Sequence, residues 1–582
     1  MYVAVVPNRK SPPAILLRES YRDQGKVKSR TLANLTGWAP ERVEALRVAL
    51  KSSPPEGVGV GGPLVDAFQV SRSRPHGHVA ALVGLARRIG LEEVILGSGG
   101  RAGALALALV VGRLVRPRSK LASARGLASQ TLDSTLGEVL GVAGASTDEL
   151  YGAMDRLAGR QEEIEQALAA VHLHEGTLVL YDLTSAAVEG SHCPLARLGY
   201  ARDGKKGRAQ IEFGLLTTPE GLPVAVEVFP GNTSDPASLP TQITKLKERF
   251  GLSRVVLVGD RGMITSARLA EDLVPAGLDW VTALRAPQIA TLARDGHLQL
   301  SLFDQTDLAE ITHPDFPGER LVCCRNPLLA QERARKREEL LLATERELGK
   351  ITAACARERR PLRGADQIGL RVGRLIGRYK MAKHFTLEIS DDRLVYRRDD
   401  ERIRAEAALD GIYVLRTSVA AKALTSDQVV VTYKRLASVE RAFRCIHGED
   451  IGVRPIHHRL PDRVRAHVLI CMLAYHLEWH LRAALAPILF HETDPDDATA
   501  QRKSPVAPAK RSRQARAKAQ TKRTPDGEPV HSLKTLLADL ATITLNRIEP
   551  TDGAPAFDML TTPTALQQRA FDLLGVSPRT GL

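Results

Sequence analysis

Thr177-Leu-Val-Leu-Tyr-Asp182 and Arg254-Val-Val-Leu-Val-Gly-Asp260 are the stretches from which the fold can be read. Each is a near-continuous apolar run closed by an acid. A run that is apolar on both faces fits a strand in the middle of a covered sheet. Between them, Gln210-Ile-Glu-Phe-Gly-Leu-Leu-Thr217 and Leu222-Pro-Val-Ala-Val-Glu-Val-Phe229 flank a Pro-Glu-Gly turn and read as a hairpin. A helix is predicted from Pro236 to Phe250, another from Ser266 to Leu273, and a fifth strand at Trp280-Val-Thr-Ala-Leu-Arg285. The order strand-strand-strand-helix-strand-helix-strand is that of a ribonuclease-H-like α/β fold.

Working outward, the first part of this core spans residues 171–285. Residues 286–410 break the pattern with a highly charged helix, Gln331 to Arg360, and read as an insertion domain. The core resumes over 411–490 with a strand at Gly411–Thr417, a long helix from Ser426 to Ile446 and an apolar helix from Arg463 to Leu485. Upstream, residues 1–50 form a small β-rich module, with Ala14–Tyr21 able to pair with Lys26–Leu32 across Asp23-Gln-Gly25. Residues 51–77 read as a linker, and residues 78–170 as a helical region in which Leu150, Met154 and Leu157 recur at helical spacing. Downstream, 491–530 reads as a flexible basic tether, because 501–523 holds nine Lys or Arg and no acid. Residues 531–582 supply a terminal helix, His531 to Ile543, and a tail. No internal repeat is visible.

Composition narrows the class. At 582 residues the chain has room for about three or four domains. The net charge of +14 suits a polyanionic partner, or reflects a generally basic protein. Six cysteines without a CxxC pair read as reduced thiols of a cytoplasmic protein. The apolar run Ala102–Gly112, bounded by Arg101 and Arg113, is too short to span a bilayer. Gly57–Gly62 lacks the Lys-Ser/Thr end of a phosphate loop, and His457, His458 and His467 lack the spacing of a zinc site.

Phosphodiester chemistry needs an activated nucleophile and a stabilised leaving oxygen, which two hard divalent ions held by carboxylates supply. Asp182 and Asp260 close strands that neighbour each other in the proposed fold, so their carboxylates emerge side by side. A third carboxylate should come from a helix. Tyr433, Glu440 and His447 recur every seven residues, which returns them to within about 20° on one helical face. Arg444 lies one turn beyond Glu440. Glu440 reads either as a metal ligand or as a solvated partner of Arg444.

Tyr181-Asp-Leu-Thr-Ser185, Gly259-Asp-Arg-Gly-Met-Ile-Thr265 and the helix Tyr433–Arg444 resemble the three catalytic motifs of bacterial insertion-sequence DDE transposases. The closest group is the cut-and-paste superfamily with a Tyr-Arg-Glu-Lys signature helix and a large insertion before the catalytic Glu. Gly199-Tyr-Ala-Arg-Asp-Gly-Lys205, Val228-Phe-Pro-Gly-Asn-Thr-Ser-Asp235 and Gly452-Val-Arg-Pro-Ile-His457 support the resemblance, which spans roughly residues 10–490. It implies two Mg²⁺ ions, with Mn²⁺ able to substitute, on Asp182, Asp260 and Glu440. It also implies cleavage and strand transfer at terminal inverted repeats, by a homodimer that holds double-stranded transposon ends and target DNA in the nucleoid. The helical region 78–170 is then the expected end-binding region. Tyr433, Arg435, Arg444 and His447 are the expected DNA contacts on the signature helix. Arg202, Lys205, Lys206 and Arg208 form a basic loop that either meets the DNA backbone or is solvated; Arg261 either steadies a phosphate or pairs with a carboxylate. Two positions depart from the signature: Leu436 stands where its Arg belongs, and His447 where its Lys belongs. A nuclease without strand transfer, or a DNA-binding relic, are the alternatives.

Overall fold

The computed structural model describes residues 1–8, 12–23, 26–51, 68–98, 100–202, 207–304, 306–551 and 554–582. Strands β1 (Tyr2–Val6), β2 (Ala14–Asp23) and β3 (Lys26–Asn34) form an antiparallel sheet, with Tyr21 opposite Lys28 as the expected hairpin requires. β4 (Phe68–Pro75) follows, in a stretch that sequence alone reads as linker. A helical region from Gly77 to His172 then leads into the central sheet.

The central sheet is built on β5 (Leu178–Ala187). The two-residue β6 (Arg197–Leu198), β7 (Ala209–Thr217) and β8 (Pro223–Pro230) extend it on one side by antiparallel pairing. β9 (Val256–Val258) lies parallel to β5 on the other side, and β10 (Asp279–Ala283) parallel to β9. Leaving out β6, the five main strands stand in the spatial order third, second, first, fourth, fifth. That order, with three antiparallel strands and two added in parallel, is the ribonuclease-H-like arrangement.

The insertion is less separate than its sequence suggests. β11 (Leu308–Ile311) and β12 (Arg320–Arg325) join the central sheet. A distinct subdomain follows: helices Pro327–Cys355 and Ala365–Tyr379 pack with the hairpin β13 (Phe385–Ile389) and β14 (Leu394–Arg398) around their own core, including Leu341, Leu348, Ile368 and Val372. β15 (Ile412–Thr417) returns to the sheet between β10 and β12. Arg416 on β15 and Glu319 just before β12 form a buried ion pair that ties the inserted strands to the core.

Helix Pro461–Ala484 is buried along most of its length, with the apolar run Val468–Ala474 at its centre. The expected single helix from Ser426 is instead two, Ser426–Lys434 and Leu436–His447. At the break, the Arg435 carbonyl accepts from both the backbone N–H (2.8 Å) and the hydroxyl (2.6 Å) of Ser438. Residues 501–523 also differ from expectation. They are folded against the body, with a helix at Arg513–Thr521. Buried Lys518 donates to the carbonyls of Ala486 (2.8 Å), Leu489 (3.0 Å) and His491 (3.1 Å), and Lys434 to those of Pro505, Val506 and Ala507. These lysines satisfy carbonyls that would otherwise be buried without donors, so Lys518 anchors the segment while most of its other basic side chains are exposed. The C-terminal region adds helix Leu533–Leu540, β16 (Thr544–Pro550), β17 (Phe557–Leu560) and helix Ala565–Leu574. β16 pairs with β4, which joins segments 68–75 and 544–550 in one sheet.

Candidate active site

Asp182 lies within β5, not at its end, since the strand runs on to Ala187. Its exposure comes from the neighbouring strand. β9 pairs with β5 only from Leu178–Val256 to Leu180–Val258 and then stops, while β7 continues to Ala187. Asp182 stands two residues beyond Leu180, and Asp260 two residues beyond Val258. Parallel neighbours lie about 4.8 Å apart, so this register sets the two carboxylates side by side. The Oδ1 of Asp260 accepts from the N–H groups of Gly262 and Met263, both at 2.9 Å, which pins one oxygen. The Oδ1 of Asp182 accepts from the N–H of Leu183 at 2.8 Å.

Glu440 comes from helix Leu436–His447, whose buried face is Val439, Ala442, Phe443 and Ile446. Phe443 packs edge-on against Phe213 of β7, with centroids 5.7 Å apart at 82°. That contact fixes the helix across the sheet and turns Glu440 outward. Asp182 lies within electrostatic range of both Asp260 and Glu440. The Asp182 carboxyl is pushed up to about 7, first by burial and then by the negative charges of Asp260 and Glu440. The Tyr433 hydroxyl is pushed up to about 12, first by burial and then by Asp260, with Asp182 and Glu440 adding to it. Tyr433 is therefore a neutral donor beside the acids.

Sequence reasoning missed the second tier. Glu212 on β7 is buried, and Asp235 opens helix Asp235–Thr244. Arg202 forms ion pairs with both. Its backbone N–H also donates to the Ser185 hydroxyl at 2.9 Å. A Cβ added at Gly262 would lie 3.2 Å from the Oδ1 of Asp260 and 3.4 Å from the Oδ2 of Asp235, so Asp235 adjoins the first tier. A signal was present, because Asp235 and Arg202 both sit in segments that support the resemblance. Glycine explains two positions in those segments: a Cβ at Gly199 would overlap the carbonyl of Gly231, and one at Gly231 the carbonyl of Gln210.

The remaining expected residues divide. His447 reaches β5, with its Nε2 3.2 Å from the Thr184 hydroxyl and its ring on Phe213 at 5.6 Å. Arg444, Arg208 and Arg261 are exposed. Arg435 lies at the helix break and pairs with Glu220 at 3.3 Å. Arg202 is committed to carboxylates rather than to a solvated loop. Lys205 and Lys206 lie outside the described residues.

The donor set fits hard divalent cations: three carboxylates, one of them held high by burial and by its acidic neighbours. Among the described residues, no helix is long and apolar enough to cross a membrane.

A family model described as Transposase DDE domain matches residues 173–477. A second, described as the N-terminal domain of IS1634 family transposases, matches residues 3–56. Among solved structures, the cryo-EM structure of a piggyBac transposase synaptic complex with hairpin DNA is similar over 80% of this chain and 76% of that chain, at 11% identity and a TM-score of 0.33. No curated protein matches.

Proposed function

The chain belongs to the DDE-domain transposases, enzymes that cleave and rejoin DNA with divalent metal, and from that premise we propose that Asp182, Asp260 and Glu440 are its catalytic triad. The observation that carries this reading is the register that sets Asp182 beside Asp260, with the helix bearing Glu440 packed across the same strands.

The three carboxylates would hold two divalent ions, Mg²⁺ first and Mn²⁺ as substitute, which supply charge neutralisation at the attacked phosphate and activation of the attacking oxygen. The chain's own residues do the rest. Gly262 and Met263 fix one oxygen of Asp260, which leaves the other for a ligand. Arg202 offsets the charge of Glu212 and Asp235 and so acts as a positioning residue rather than a DNA contact. Tyr433 keeps its proton and can donate to a phosphate oxygen. Arg444, Arg261, Arg208 and His447 are the proposed backbone contacts, with Lys205 and Lys206 beside them in sequence. The DNA served is the terminal inverted repeats and the target, and two copies of the chain, one for each end, would assemble the synaptic complex.

Asp182→Asn, Asp260→Asn and Glu440→Gln should each abolish divalent-dependent end cleavage and strand transfer, with end binding retained. The losses should not add in a double variant, because one missing ligand already disables the unit. Near-normal strand transfer by any one variant would remove that residue from the triad.

A further inference from the structure

His172, His476 and His480 meet where helix Gln161–His172 ends against helix Pro461–Ala484. His172 ends helix Gln161–His172, and His476 and His480 are four residues apart on helix Pro461–Ala484. That spacing puts the latter two on one helical face. One ring nitrogen from each of the three lies within 4.8 Å of one from each of the others. Their ring centroids are 5.0, 5.4 and 5.8 Å apart. We propose that His172, His476 and His480 form a second metal site, for a borderline transition ion such as Zn²⁺, that staples helix Gln161–His172 to helix Pro461–Ala484.

Three further observations support it. The Nδ1 of His476 lies 2.9 Å from the carbonyl of Pro223. A carbonyl can only accept, so Nδ1 carries the proton and Nε2 of the neutral ring presents a lone pair. This is the outer hydrogen bond that orients metal-bound imidazoles. The Nε2 of His480 is buried with no hydrogen-bond partner, a cost that a bound cation would remove. Burial lowers the proton affinity of all three rings and so favours the ligating form.

Nitrogens on a Zn²⁺ ion at about 2.0–2.1 Å stand about 3.4 Å apart, so closure needs shifts on the order of 1 Å. His172 is only half-buried at its helix end and can provide them. Three imidazoles leave a fourth position for water. The donors separate this site from the carboxylates, since imidazole suits Zn²⁺ and Co²⁺ while Mg²⁺ prefers oxygen.

The test titrates the full chain with Co²⁺ in excess Mg²⁺, which occupies the carboxylates, and reads visible d–d absorption. The wild type should bind one equivalent with intense four-coordinate bands that Zn²⁺ bleaches, and Zn²⁺ should raise its melting temperature. His480→Gln and His172→Gln should each weaken Co²⁺ binding at least tenfold and lose the Zn²⁺-dependent thermal shift. Far-UV circular dichroism of the metal-free variants checks that they fold. Absence of the bands in the wild type overturns the site whatever the variants do, as do bands that persist unchanged in both variants.

Discussion

Asp182→Asn should stabilise the metal-free protein while destroying its activity. Burial, Asp260 and Glu440 push the Asp182 carboxyl from 3.8 to about 7, against the pull of the Leu183 N–H and Arg202. A shift of about three pK units corresponds to on the order of 4 kcal/mol between its two protonation states. The folded pKa lies above the unfolded one, so the folded state penalises the ionised form. The penalty is absent below about pH 4, grows as pH rises toward 7, and is complete above it. Asparagine has nearly the same volume, cannot ionise, and can still accept from Leu183. At pH 8 in EDTA the variant should therefore be more stable by about 1–4 kcal/mol, a rise of several degrees in melting temperature. At pH 4.5, where the unfolded carboxyl is only partly protonated, the gap should shrink to about 1 kcal/mol or less. Added Mg²⁺ should narrow the gap at pH 8, because the wild type gains a ligand that the variant has lost. Scanning calorimetry at both pH values, with EDTA and with Mg²⁺, measures all four conditions. A metal-free variant that melts at or below the wild type at pH 8 would refute the view that Asp182 is crowded by acids in a buried site.

Glu165 is fully buried and bonds buried Lys245 at 2.9 Å and Arg249 at 2.9 Å. Glu165→Ala should cost about 3–5 kcal/mol in a denaturant titration, because it leaves Lys245 buried with only the partly exposed Glu227 and the Val226 carbonyl for partners. Lys518→Ala should free the segment around Arg513–Thr521, seen as faster proteolysis between residues 501 and 523 and a lower melting temperature; unchanged digestion would return this segment to the role of a solvated tether. Gly231→Ala should abolish soluble expression or end cleavage, since its Cβ overlaps the Gln210 carbonyl, whereas Gly152→Ala, in helix Thr147–Gly159 with open space around its Cβ, should change stability by no more than about 1 kcal/mol.

The chain's local chemistry determined its core strands and its acids. Asp182 and Asp260 were legible because apolar runs covered on both faces have few alternatives to a central strand, and an acid at the rim of such a strand is conspicuous. Glu440 was singled out as a candidate by the seven-residue recurrence with Tyr433 and His447, a spacing that the helix break at Arg435 interrupts between Tyr433 and Glu440. The tertiary structure alone decided what depends on distant partners. β4 is a strand because β16, more than 460 residues later, supplies its hydrogen bonds, and no local pattern encodes that pairing. The basic run around Lys518 is ordered because carbonyls at Ala486, Leu489 and His491 need donors, while composition registers only charge. Arg202 faces carboxylates because Glu212 and Asp235 arrive from separate elements. Periodicity and side-chain type act within a few residues, so they reveal elements and candidate ligands. Which buried charges meet depends on how the elements pack, and only the assembled sheet and helices fix that.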